Sequence, residues 1–199
     1  EPEKPIENNE TIIEDFELLK GIKEDGGNFS SYEDFDYTGS SNTKWEVING
    51  RIDLGLKEGG NAITISGKGN ELVQAGMGRI YANLEGGITS LEFDARLPFS
   101  PKSTYPQGPG GDKAINVKVK VIINGEVIET LTFKDDDEAN KGKTFSLTGL
   151  NITNNYSLSI EISSGHSMTV DNIKITKNSN TSVVGDKLLF DFEAETFDF

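Results

Sequence analysis

Apolar and polar residues alternate through most of this chain, and a period of two is the signature of a half-buried β-strand. In Val117-Lys118-Val119-Lys120-Val121 the valines fall on one face of the strand and the lysines on the other. Asn124-Gly125 follows. Because both central residues of a type I′ turn need positive φ, this dipeptide predicts a tight hairpin to a strand over 127–133. Asn49-Gly50 predicts a second hairpin, joining strands at 45–47 and 52–54.

Further alternating segments fall at 62–65, 78–82, 91–97, 144–147, 156–162 and 168–175, separated by stretches rich in Gly, Asn and Ser. No segment shows a convincing helical stripe. Many short strands at fairly even spacing predict an all-β fold, an antiparallel β-sandwich of the jelly-roll type, with about ten strands.

The last predicted strand changes face along its length. Met168 and Val170 share one parity, whereas Ile173 and Ile175 share the other. Such a switch predicts a β-bulge at Asp171-Asn172, and a bulge redirects the side chains around it. Asp171 is then either a metal ligand or a residue that simply suits the bulge conformation.

Two longer stretches without a clear period, 20–43 and 98–114, predict extended loops, which in a compact domain are usually functional or disordered. They carry the aromatic residues Tyr32, Phe35, Tyr37 and Tyr105. Aromatic rings offer a rigid apolar face for a sugar ring, so these four residues are the candidate ligand contacts. The alternative is that they pin their own loops onto the sandwich.

A short phrase occurs twice, as Ile12–Glu17 (IIEDFE) and Leu188–Glu193 (LLFDFE). The separation is close to the length of one sandwich domain. A repeat at domain length is typical of modular proteins, although a short phrase can also recur by chance in an acidic chain. We therefore expect a linker at 1–11, a module at 12–176 and a second linker at 177–187. Residues 188–199 would be the opening strand of a further module or a strand that docks on a sheet edge.

Charge and composition narrow the possible partners. The formal net charge is −14 and the sequence pI is about 4.5, which argues against nucleic acid and against an anionic membrane surface. There is no cysteine, so disulfides, thiolate catalysis and thiolate zinc sites are excluded. No apolar run is long enough to span a bilayer, which predicts no membrane insertion. Together these features suit a secreted or surface-attached bacterial module.

The order of motifs resembles the jelly-roll carbohydrate-binding modules and related extracellular sandwich domains of bacterial surface proteins. A first strand ends in Asp15-Phe16-Glu17, and Trp45 follows on a later strand. Gly60 then opens the segment 60–65, which continues as an apolar strand, and the module closes with Val170–Ile175 (VDNIKI). The resemblance covers roughly residues 12–176 and rests on short motifs.

The resemblance implies a structural calcium site. Carried over by motif, its ligands are Glu17 and Asp171, with Asp15 as a further candidate. It also implies that Trp45, the one tryptophan, belongs to the core and does not form a sugar platform.

These observations favour a non-catalytic, calcium-stabilised β-sandwich module that binds carbohydrate or a surface polymer outside the cell. The alternative is a structural or adhesive spacer in a tandem array with other modules of the same polypeptide and no small ligand. A hydrolase is a third hypothesis, but no pair of carboxylates stands out as catalytic.

Overall fold

The structure is a computed structural model that describes residues 10–24, 30–56, 60–67, 77–103, 116–135 and 142–178. These ranges contain eleven strands and one short helix. The elements are β1 (Thr11–Glu14), α1 (Leu19–Glu24), β2 (Glu33–Thr38), β3 (Lys44–Arg51), β4 (Ile63–Ser66), β5 (Arg79–Leu84), β6 (Ile88–Arg96), β7 (Asn116–Ile123), β8 (Glu126–Lys134), β9 (Lys143–Ile152), β10 (Tyr156–Ser164) and β11 (Ser167–Thr176).

All strand pairs are antiparallel. Neighbouring strands follow the order β8-β7-β10-β5-β3-β4-β11-β6-β9, with β2 added to β3 and β1 added to β11. β3 links the two layers: Trp45–Ile48 pair with β5, and Gly50 and Arg51 pair with β4. At the ends of the order, Phe133 of β8 and Phe145 of β9 meet with ring centroids 4.3 Å apart. The sheet therefore curls back on itself into the predicted antiparallel β-sandwich, a jelly-roll fold.

One hydrophobic core fills the sandwich. The three valines of β7 that alternate with lysines are fully buried, as their spacing predicts. Trp45 is 1% exposed, which confirms it as a core residue. Because each fully buried large apolar side chain contributes about 1.5–3 kcal/mol, this core is the main source of the fold's stability.

The hairpin predicted at Asn124-Gly125 is confirmed. Both residues have positive φ, 52° and 81°, and they lie between the end of β7 and the start of β8. Asn124 also ties the turn to the neighbouring strand, because its side-chain oxygen accepts a hydrogen bond of 3.0 Å from the Ser157 N–H.

Gly125→Val is expected to lower the free energy of unfolding by about 1–2 kcal/mol, because a branched side chain is strained at positive φ. Gly21→Ala is a suitable comparison. Gly21 lies in α1, where an added Cβ would meet no atom within 4 Å. We expect that change to be neutral or slightly stabilising. Urea unfolding followed by circular dichroism would measure both; equal losses would contradict the assignment of turn strain.

The hairpin predicted at Asn49-Gly50 is wrong. β3 runs without interruption from Lys44 to Arg51, and only Asn49 of the pair has positive φ, 51°. The register between β2 and β3 shifts here, and the Asn49 N–H donates to Asp34 Oδ1 at 2.8 Å. Gly50 pairs with Glu33 on one side and with Ile65 on the other. Pairing on both edges holds this dipeptide in an extended, bulged strand.

The loop predicted at 20–43 is also corrected, because part of it is regular. α1 covers 19–24, and β2 covers 33–38 as the edge partner of β3. In β2 the aromatic residues Phe35 and Tyr37 alternate with aspartates, so the strand period is present although few aliphatic residues mark it. The described helix is too short and too polar to cross a membrane.

Several sequence predictions lie outside the described residues. They concern Tyr105 and the rest of the 98–114 stretch beyond residue 103, residues 1–9, and the segment from 179 onward with its repeated phrase. Within the described ranges, β1 begins at Thr11 and β11 ends at Thr176. These two strands pair along their length, with Thr11 opposite Thr176 and Glu14 opposite Ile173.

Candidate functional site

Two of the predicted ligand contacts lie in β2 and face inward. Tyr37 is 4% exposed, its ring centroid is 5.8 Å from that of Phe16, and its hydroxyl donates to Glu14 Oε1 at 3.1 Å. Phe35 is partly buried and packs against the core. The Tyr37 ring offers no face for stacking on a ligand, and both rings hold β2 against the sandwich. For these two residues the packing agrees with the alternative that aromatic rings hold their own segments on the sandwich.

Tyr32 directly precedes β2 and is half-buried. Its hydroxyl is 2.7 Å from Ser167 Oγ, and burial raises its pKa. The Arg51 guanidinium lies over the Tyr32 ring at 5.4 Å and over the Phe99 ring at 5.7 Å. Arg51 also donates two hydrogen bonds, of 2.7 and 2.6 Å, to the Asp53 carboxylate. Tyr32 is thus engaged in a satisfied cluster that ties strand ends together.

A different surface presents accessible polar and aromatic groups: the outer face of the layer built from β2, β3, β5, β10, β7 and β8. Strand register aligns one residue from each strand in a continuous row. We call it the Tyr81 row, and it consists of Asp36, Glu46, Tyr81, Ser159, Ile122 and Val127.

A second row runs beside the first. This Arg79 row consists of Ile48, Arg79, Glu161, Lys120 and Thr130. Residues between the rows on each strand, such as Val47, Ile80 and Ile160, are buried in the core. The two rows together form what we call the sheet face.

Among the described residues, three grooves open on the sheet face. The largest, about 820 Å³, runs from the turn between β2 and β3 to Tyr81 and Asn83. A second, about 430 Å³, is lined by the same two residues and continues to Asn124 and Ser157. The third, about 510 Å³, is lined by Arg79, Lys120 and Glu161 among others. Tyr81 therefore stands where two of the grooves meet.

Contacts on both sides fix the Tyr81 side chain. Its hydroxyl donates to Asn83 Oδ1 at 2.8 Å, and the Arg79 guanidinium lies over its ring at 5.6 Å. Arg79 in turn donates to Glu46 Oε1 at 2.9 Å. A rigid aromatic ring among carboxylate and amide groups can pack against an apolar ring face and hydrogen-bond the hydroxyls at its edge.

Sequence reasoning missed these residues. The available signal was the alternation of Arg79, Tyr81 and Asn83 with the buried Ile80, Ala82 and Leu84 in β5. That pattern identifies the solvent face of a strand. It does not show that five other strands place complementary groups beside Tyr81.

The bulge predicted at Asp171-Asn172 is confirmed. The β11–β6 register shifts after Asp171, and Asn172 has a φ of 49°. Asp171 lies directly opposite Asp94 across the two strands. Asn172 contacts both carboxylates: its N–H donates to Asp171 Oδ1 and its side-chain amide donates to Asp94 Oδ2, each at 2.8 Å.

Asp171 is 9% exposed, and burial raises its pKa to about 7. The negative charges of Asp94, Glu17 and Asp15 act in the same direction, whereas the Asn172 N–H lowers the pKa. Asp171 is therefore a buried carboxyl group in an acidic neighbourhood, where a cation would favour its ionised form.

Glu17 and Asp15 follow β1, which ends at Glu14. The chain turns at Phe16, whose φ is 54°, so Asp15 and Glu17 do not share a strand face. The Glu17 N–H donates to Asp15 Oδ1 at 3.2 Å, and Glu17 Oε2 accepts a hydrogen bond of 2.8 Å from the Asn61 amide. β1 pairs with β11, so the first and last of the described strands lie side by side.

The donor chemistry of this region fits calcium, which prefers carboxylate and amide oxygens. Within the described part of the chain, however, no three acidic or histidine side chains are arranged to hold a metal ion. Asp171 and Glu17 would be the protein's carboxylate ligands, and the remaining oxygens would come from other groups.

Comparison of the sequence with family models gives no match, and no curated protein matches it. Solved structures with a similar fold have low sequence identity. A family 43 arabinoxylan arabinofuranohydrolase from Bacillus subtilis is 12% identical, with a TM-score of 0.45 over 74% of this chain. This chain spans only 28% of that hydrolase.

Two separate modules are similar over nearly their whole length. A family 35 carbohydrate-binding module from Clostridium thermocellum is 12% identical, with a TM-score of 0.41, over 85% of this chain and 99% of the module. The CBM36-1 domain of a multidomain xylanase, from the hindgut metagenome of Trinervitermes trinervoides, is 14% identical over 83% of this chain and 96% of that domain, with a TM-score of 0.41. The similar structures are mainly carbohydrate-binding modules with a β-sandwich fold.

Proposed function

We propose that this chain is a non-catalytic carbohydrate-binding module that acts outside the cell, and that its binding surface is the sheet face around Tyr81. The observation that carries the proposal is the position of Tyr81, at the meeting point of two grooves and beside Glu46 and Asn83. Neither the buried Asp171 nor its neighbour Asp94 is among the residues that line the three grooves. The proposal therefore gives Asp171 a structural role and no catalytic one.

Tyr81→Ala is expected to weaken glycan binding about tenfold or more, because a central aromatic contact commonly contributes more than 1 kcal/mol. Tyr81→Phe should retain much of the affinity, since it keeps the ring and loses only the hydroxyl. The assay is a glycan array followed by isothermal titration calorimetry on the best ligand.

Thr148→Ala is the control, because Thr148 is an exposed residue of β9 in the other layer. Circular dichroism should show that all variants are folded. Full affinity in folded Tyr81→Ala would show that the sheet face is not the binding surface.

The proposal includes a structural calcium ion held by Asp171 and Glu17, with Asp15 close by. It is supported by the burial of Asp171, by its three acidic neighbours and by the pairing of β1 with β11, which brings the two ligand segments together. Bound calcium would offset the repulsion among the carboxylates and join the first strand to the last.

A spacer module without a small ligand is the second candidate. The inward packing of Phe35 and Tyr37 favours it, because two of the aromatic residues predicted to contact sugar instead stabilise the fold. This candidate predicts that neither wild-type protein nor Tyr81→Ala binds any glycan on the array.

A further inference from the structure

The length of the Tyr81 row indicates the size of its ligand. Six strands contribute to the row, and neighbouring strands lie about 4.7–4.9 Å apart, so the row extends roughly 24 Å across the sheet. A monosaccharide would cover only the part around Tyr81. The remaining length would be left for further sugar residues on either side.

The charges of the sheet face largely neutralise one another and leave a net charge of −1. The two rows carry three carboxylates, those of Asp36, Glu46 and Glu161, and two cations, Arg79 and Lys120. Arg79 is paired with Glu46 at 2.9 Å, and Lys120 lies directly opposite Glu161 in the strand register. An acidic sugar would meet cations that already have carboxylate neighbours, in a chain whose net charge is −14.

Neutral hydroxyl groups fit this surface better. The carboxylates of Asp36 and Glu46 accept hydrogen bonds, and hydroxyls can donate to them. Ser159 lies directly opposite Tyr81 but is only 5% exposed, so its side chain lies below the accessible surface of the row.

The end of the row on β7 and β8 is apolar. Ile122 is partly buried, and Val127 is 50% exposed beside it. These side chains have no hydrogen-bonding groups to offer, but they can cover the C–H faces of a sugar. The row therefore changes from carboxylates at β2 and β3, through Tyr81, to an apolar end.

We propose, on the basis of the proposed function, that the sheet face binds a neutral, linear oligosaccharide that lies across the strands along the Tyr81 row. Tyr81 contacts a central sugar, the carboxylates of Asp36 and Glu46 accept hydrogen bonds from sugar hydroxyls, and Val127 contacts the sugar at the apolar end.

The experiment is calorimetry with matched probes at low and at physiological salt. The neutral probes are the disaccharides and hexasaccharides of the cello-, xylo-, laminari- and manno-series, and the acidic probe is hexagalacturonate. At least one neutral hexasaccharide should bind tenfold or more tightly than its disaccharide, and more tightly than hexagalacturonate.

Two variants test the placement of the ligand. Asp36→Ala should weaken binding of the neutral hexasaccharide roughly two- to tenfold, the usual range for one hydrogen bond, because Asp36 is an exposed acceptor of the row. Val127→Asp should weaken binding of the hexasaccharide but leave the disaccharide unaffected. Ile128→Asp is the matched control, because Ile128 is a neighbouring exposed residue outside the row.

Tighter binding of hexagalacturonate, or equal affinity for disaccharide and hexasaccharide, would overturn this inference while leaving carbohydrate binding intact. So would unchanged hexasaccharide affinity in both Asp36→Ala and Val127→Asp. Absence of binding to every probe and to the glycan array would overturn the proposed function as well.

Discussion

Asp171→Asn is expected to raise the melting temperature at pH 8 in EDTA and to abolish the further rise that calcium gives the wild type. In the folded protein the pKa of Asp171 is raised to about 7 from an ordinary value of 3.8. That difference corresponds to a penalty of about 4 kcal/mol on the ionised group when no cation is bound. Asn removes the charge and keeps an oxygen that can accept the Asn172 N–H.

The sign of the pH dependence follows from the direction of the shift. Because the folded state favours the protonated acid, the stability linked to Asp171 is fully present below about pH 4 and falls as pH rises to about 7 and beyond. Melting curves in EDTA should therefore show wild-type protein losing stability across this window relative to Asp171→Asn.

At pH 8, calcium should reverse the difference in melting temperature between the wild type and Asp171→Asn. A ligand bound only by the folded state contributes about 2.7 kcal/mol at a hundredfold excess over its Kd, and Asp171→Asn should gain little of this. Glu92→Gln is the control, because Glu92 is a surface carboxylate of β6 that pairs with Lys174. A wild-type melting curve that responds neither to calcium nor to EDTA would show that this site binds no calcium.

Trp45→Ala is expected to lower the free energy of unfolding by about 3–5 kcal/mol, a large share of the 5–15 kcal/mol typical of a whole domain. Trp45 is 1% exposed and packs edge-on against Phe16, with ring centroids 6.4 Å apart. Removing the indole leaves a cavity between β3 and the turn after β1, which local collapse would fill only in part.

Urea unfolding followed by far-ultraviolet circular dichroism measures this loss, since the variant has no tryptophan fluorescence. Trp45→Phe keeps an aromatic ring and should lose less than half as much. A loss below 1 kcal/mol for Trp45→Ala would show that the Phe16–Trp45 contact adds little to the core.

The strands could be predicted where burial is one-sided and local. The valines of β7 reveal their face through alternation, Asn124-Gly125 supplies the positive φ of a tight turn, and the parity change in β11 reveals its bulge. Each of these features is decided by residues close together in sequence.

Asn49-Gly50 shows where local reasoning fails. The same dipeptide that turns the chain after β7 lies inside β3, because pairing with β2 on one edge and β4 on the other outweighs the turn preference. Those partners are distant in sequence, and no local sequence pattern predicts the pairing.

The sheet face could not be predicted for a related reason. Asp36, Glu46, Tyr81 and Ser159 are ordinary solvent-side residues of four separate strands, and only the register places them in one row. The predicted aromatic residues stood out in sequence because they interrupt polar stretches. For Phe35 and Tyr37 the reason is structural, because their side chains hold the edge strand β2 against the core.

The pairing of β1 with β11 determines how the module would respond to mechanical tension. The chain enters and leaves the sandwich side by side, with Thr11 opposite Thr176 and the Lys177 N–H donating to the Glu10 carbonyl at 2.8 Å. A force on the flanking residues would break these hydrogen bonds one after another, starting at the chain ends. The reason is that the bonds of an antiparallel pair are perpendicular to the strands. β1 would peel away first and take Glu14, Phe16 and Glu17 with it. Stretching would thus dismantle the proposed calcium site while the six strands beneath Tyr81 stay paired.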